Sequence, residues 1–67
     1  MDMFAIRLRE LRKEKSLTQK ELAIKLHTSE DCIHFWEKDK SQPDINMIRN
    51  ICKFFEVSAD YLLGLED

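Results

Sequence analysis

Residues 18–37, TQKELAIKLHTSEDCIHFWE, constrain the fold of this chain more than any other stretch. Thr18 is followed by Glu21 at the spacing of a capping box, in which each side chain accepts from the other residue's backbone N–H. Leu22, Ala23 and Leu26 then recur at one-turn spacing and form an inward face. The pattern breaks at His27 and Thr28 and restarts at Ser29, a second N-cap candidate, after which Ile33 and Trp36 share one side of a new helix. A helix, a tight turn and a second short helix are therefore expected. Sheet is not: one Gly and one Pro in 67 residues supply too few turn residues for hairpins.

The flanking segments read the same way. Asp2 can cap a first helix over residues 3–15, with Phe4, Leu8 and Leu11 at i, i+4 and i+7 facing the core. Its outer face then carries Arg7, Arg9, Arg12, Lys13 and Lys15, and Ser16 and Leu17 connect to the capped second helix. After Glu37 the segment KDKSQPD is charged, polar and contains the proline, so it is expected to be a loop. Asp44 can cap a fourth helix whose apolar stripe is Ile45, Ile48, Ile51, Cys52 and Phe55. Val57 and Ser58 interrupt it, Ser58 can cap residues 59–63, and Gly64 is placed to end them. No internal repeat, linker or second domain is visible. The expectation is one all-α domain over residues 1–67, a five-helix bundle with helix-turn-helix geometry at about residues 18–37.

A chain of this size buries roughly 60% of its unfolded surface, enough for one small core but not for a substrate cavity. No nucleophile elbow, paired-acid pocket or phosphate loop is present either, so an enzyme is not expected. No run approaches about 18 apolar residues, and the start MDMFAIRLRE has no uninterrupted signal core, so a cytoplasmic protein with no membrane association is expected. Cys32 and Cys52 fit reduced, partly buried thiols, and with His27 and His34 they match no zinc spacing. No metal or cofactor is expected.

The formal net charge of −2 does not by itself point to nucleic acid, but its distribution is uneven. Residues 1–27 hold seven Lys or Arg against four Asp or Glu, whereas residues 44–67 hold two against five. A basic flank on an acidic chain is compatible with phosphate contact.

LRELRKEKSLTQKELAIKL, the IxxWE of Ile33 to Glu37, KSQPD and VSADYLLG, in this order, resemble the XRE-type helix-turn-helix domains of the phage lambda Cro and repressor class. The resemblance runs from Phe4 to Leu65. It implies a five-helix, lambda-repressor-like DNA-binding domain of a transcriptional regulator. The regulator would act first as a repressor, and as a homodimer on a partly palindromic double-stranded DNA operator. In such domains the second helix of the motif, here about residues 29–37, enters the major groove. The resemblance places Thr28, Ser29, Glu30, Asp31, His34 and Phe35 at base edges. A carboxylate there can accept from cytosine N4, His can donate to guanine, and Phe can touch a thymine methyl. The resemblance gives Gln19 a phosphate contact, with Lys40 and Ser41 holding the backbone on the other side, and Lys20 and Lys25 can add charge. It also implies an ion pair between Arg12 and Glu37 that ties the first helix to the recognition helix. Relatives often place Gly where this chain has Ser16, His27 and Asp39, which implies left-handed backbone at those helix ends. The apolar run of Tyr61, Leu62, Leu63 and Leu65 fits a dimer contact, with Leu62 or Leu63 closing the monomer core. An alternative is a protein-interaction module of the same fold, antitoxin-like, using Glu30, Asp31 and Phe35 against a basic or apolar protein partner.

Overall fold

In the computed structural model, which describes residues 3–65, five helices follow one another: α1 (Phe4–Glu14), α2 (Gln19–Lys25), α3 (Glu30–Glu37), α4 (Ile45–Phe55) and α5 (Ala59–Leu63). Four begin as the sequence leads one to expect. Thr18 and Glu21 form the full capping box on α2, while Ser29, Asp44 and Ser58 each accept from the third backbone N–H of their helix. The first helix differs. Its N-cap position is Met3, which makes no side-chain cap, and Asp2 lies outside the described residues.

The ends are uniform, and they explain the unusual backbone. After α1, α2 and α3 the second residue past the cap donates to the carbonyl five residues back, from Leu17 to Arg12, Thr28 to Ala23 and Lys40 to Phe35, at 2.9 to 3.1 Å. Val57 to Cys52 and Leu65 to Asp60 repeat this closure after α4 and α5. The closure needs a left-handed residue just before the donor. Ser16, His27, Asp39 and Glu56 accordingly sit at φ of 57 to 61°, and Gly64 at 77°. Ser16, His27 and Asp39 are the three positions the resemblance marks. Glu56 is an addition, since nothing about a glutamate announces a left-handed residue. Gly64 is required twice over, because a Cβ there would lie 2.7 Å from Met3 Cγ.

All five helices contribute to one core: Phe4, Leu8 and Leu11 from α1, Leu22 and Ala23 from α2 with its cap Leu26, Ile33 and Trp36 from α3, Ile51 and Phe55 from α4, and Leu62 from α5. Leu8, Leu22, Ile33, Ile51 and Leu62 have no exposed surface, so truncating any one to Ala would cost about 2–5 kcal/mol. No helix here is long enough to be stable alone; each is held by burying its apolar face against the others.

Two expectations about faces are corrected. Ile45 is 69% exposed rather than part of the α4 stripe, because it is the first residue of the helix and projects past the edge of the core. The stripe is carried by Met47, Ile48, Ile51, Cys52 and Phe55. Arg7 and Arg12 are not on a solvated outer face of α1. Arg7 donates to the Tyr61 carbonyl oxygen and lies 4.3 Å from the centre of the Tyr61 ring, joining α1 to α5. Arg12 turns toward α3. Leu62 closes the core, whereas Leu65 is exposed.

Candidate nucleic-acid interface

α2 and α3 pack directly against each other, and the turn between them is set by the left-handed His27 and the Ser29 cap. Burial of Ile33 and Trp36 fixes the rotation of α3 about its own axis. On the helical period this directs Asp31, His34, Phe35 and Lys38 away from the core, with Glu30 on the flank nearer Glu37. Glu30, Asp31 and Lys38 are exposed, and Phe35, a large apolar ring, is 46% exposed. His34 meets the Phe35 ring edge-on, with centroids 5.5 Å apart, and is half-buried. Thr28 is half-buried at the head of the turn, and the Ser29 hydroxyl accepts from the Cys32 N–H at 3.2 Å.

Arg12 and Glu37 form the expected pair. The guanidinium donates through Nε at 2.6 Å and Nη2 at 3.0 Å to the two carboxylate oxygens, a two-pronged geometry only Arg can provide. Arg12 Nη1 donates to the Leu17 carbonyl oxygen at 2.8 Å, and Gln19 Nε2 to Glu37 Oε1 at 3.1 Å. The hydrogen bond to Glu37, and then its charge, raise the Arg12 pKa, while burial opposes them. One carboxylate at the end of α3 thus gathers the end of α1, the connector and the start of α2. Its side chain is only 4% exposed.

Above this pair is a shallow hollow of about 230 Å³ lined by Arg9, Arg12, Gln19, His34, Glu37 and Lys38. It brings Gln19 together with two cations that sequence reasoning did not assign to a site. Arg9 reads as one of several surface charges, and Lys38 as the first residue of a loop. The signal was present but indirect: Arg9 is one turn before Arg12, and Lys38 is one turn after His34, so pairing Arg12 with Glu37 brings both to the same place. Lys20, Lys40 and Ser41 are exposed and do not line this hollow.

The two thiols are free. Hydrogen bonds from the side chains of Ser29 and then Thr28 lower the Cys32 pKa, whereas burial raises that of Cys52. Among the described residues no group of three His, Cys, Asp or Glu could hold a metal ion. No described helix is long and apolar enough to cross a membrane.

Five short helices, with α2 and α3 joined by a tight turn and α3 presenting an exposed outer face, define a helix-turn-helix class of domain. Residues 5–67 match the family model described as helix-turn-helix domain, and the chain belongs to that family. It is 41% identical over 64 residues to the HTH-type transcriptional activator BcrR of Enterococcus faecalis, covering 96% of this chain and 31% of that protein. It is 36% identical over 61 residues to the HTH-type transcriptional regulator ImmR of Bacillus subtilis (strain 168), covering 91% of this chain and 48% of that protein. The chain therefore spans less than half the length of either of these two relatives. Its fold matches the P22 c2 repressor, in a crystal structure with synthetic operator 9T, with a TM-score of 0.89 and 26% identity over 98% of this chain and all of that one.

Proposed function

We propose that this chain is the DNA-binding domain of a cytoplasmic transcriptional regulator that places α3 in the major groove of a double-stranded operator. The observation that carries the reading is the likeness to a repressor crystallised on its operator, which extends over all of that repressor's chain. Residues 1–67 form one such domain, without catalytic activity. Thr28, Ser29, Glu30, Asp31, His34 and Phe35 meet base edges. Gln19 donates to a backbone phosphate, with Lys20 adding charge beside it and Lys40 and Ser41 holding the backbone beyond the far end of α3. Arg9 and Lys38 join Gln19, because the hollow they line has more cations than carboxylates and is open enough to admit a phosphate group. Repression is the first expectation for its action, by sitting on a promoter as a homodimer over two half-sites one DNA turn apart.

The test is fluorescence anisotropy against random and selected duplexes at several salt concentrations. Affinity should fall steeply with salt, with a slope near 0.9 per phosphate contacted. Replacing Arg9 and Lys38 with Gln should reduce that slope and leave the preferred sequence unchanged. Sedimentation of a monomer both free and on DNA would remove the homodimer. The exposed Phe35 beside two carboxylates favours a second reading, a protein partner with a basic or apolar surface. Absence of duplex binding even at low salt would move the function to that reading.

A further inference from the structure

Glu30 and Asp31 are the least expected residues on a helix offered to DNA, and beyond a small gain from the helix dipole the fold gives them no side-chain partner among the described residues. The start of α3 is already capped by Ser29 Oγ. Neither carboxylate makes a hydrogen bond or ion pair among the described residues, and both are exposed. Asp31 lies opposite the buried Ile33 and Trp36, at the centre of the outward face, with Phe35 one turn further along.

In the major groove a carboxylate is repelled by the phosphates and by every base acceptor. Only two groups there can satisfy it, the N4 amine of cytosine and the N6 amine of adenine. They are not equivalent. The adenine amine lies between two acceptors, its own N7 and O4 of the paired thymine. The cytosine amine has an acceptor on one side only, O6 of the paired guanine, and a C–H edge on the other. A carboxylate approaching cytosine thus meets one repulsive neighbour instead of two.

Building on the DNA-binding reading above, we propose that Asp31 is a specificity-determining residue that requires a C·G pair in the half-site, with the cytosine amine facing α3. Glu30, on the flank, adds to the same field and penalises guanine and thymine edges beside it. Phe35 covers the next step and takes a thymine methyl. The acids lower affinity for DNA in general and return part of it at one base pair, so they act as a filter more than as an anchor.

The experiment is selection of bound duplexes from a random pool with the wild-type chain and with Asp31→Ala, both checked for folding by thermal denaturation. Alanine at this exposed helical position removes the carboxylate without harming the helix. Wild-type selections should fix cytosine at one position of the half-site, with about tenfold loss of affinity when it becomes guanine. Asp31→Ala should lose that preference alone, and its affinity for random duplex should rise several-fold. Replacing the cytosine by pyrimidin-2-one, which lacks only the amine, should weaken wild type about tenfold and leave Asp31→Ala unchanged. Wild-type sites without a fixed cytosine, or an alanine variant that selects the same sites, would overturn the inference and leave the DNA reading intact. Failure of the wild type to select any duplex would remove both.

Discussion

At the start of α2, Glu21 turns back to accept from the Thr18 N–H at 2.8 Å while Thr18 accepts from Glu21, and both side chains serve the helix. At the start of α3, Ser29 caps alone, and two carboxylates in the same first turn face solvent. The residue types are alike and the outcome differs because of register. The acid of α2 is the third residue of its helix, the one position whose side chain reaches back to the N-cap N–H. The corresponding position of α3 is Cys32, and its acids stand one and two places too early. Both acids still gain from the helix dipole, a few tenths of a kcal/mol. A helix that uses its acid for capping is a support. One that caps without its acids has them free for a partner.

Substitutions at the two helix starts and at the residues that join them test this contrast. The largest effect is expected at the Glu37 carboxylate of α3, which accepts from Gln19 of α2 and Arg12 of α1: Arg12→Met leaves it buried beside Gln19 and should cost about 3 kcal/mol, read as a shift in the urea midpoint. Glu37→Gln should cost less, because an amide can still accept from Gln19 or Arg12. Thr18→Ala and Ser29→Ala should each cost about 1 kcal/mol by the same measurement, since each removes a side-chain cap. His27→Gly, in the turn between the two helices, should raise stability by up to about 1 kcal/mol, and Glu56→Gly by a similar amount, because each relieves a left-handed backbone. The smallest change in stability, within about 0.5 kcal/mol, is expected for Asp31→Ala, whereas Glu21→Ala should show a measurable loss. If Asp31→Ala destabilises as much as Glu21→Ala, the contrast between the two helix starts fails.

A chemical probe reports on the same turn. At about pH 8, Cys32 should react with iodoacetamide faster than Cys52, since a lowered pKa gives more thiolate at that pH and a raised one gives less. Ser29→Ala should bring the two rates closer, because Ser29 is the first cause of the Cys32 shift. Linkage has the matching sign: the lowered thiol adds stability above its unfolded pKa and loses it as pH falls, and the raised one does the reverse.

The sequence alone determined what depends on neighbours along the chain. Four helix starts were legible because a short polar side chain three residues before a backbone N–H is a local event. The core stripes were legible because burial repeats with the helical period, and Ile45 escaped only because the periodicity does not know where a core ends. The left-handed helix ends were half legible. Gly64 announces itself, whereas Ser16, His27 and Asp39 were marked only through resemblance and Glu56 not at all, because the constraint comes from the backbone closure and not from the side chain. What the tertiary structure decided is which charges meet. Arg9, Arg12, Gln19 and Lys38 lie on three different segments, and only the packing of α1 and α2 against α3 gathers them around Glu37. The freedom of Glu30 and Asp31 was decided there too, since whether a surface carboxylate has a partner depends on what the fold brings within about 4 Å, a distance no spacing in the sequence encodes.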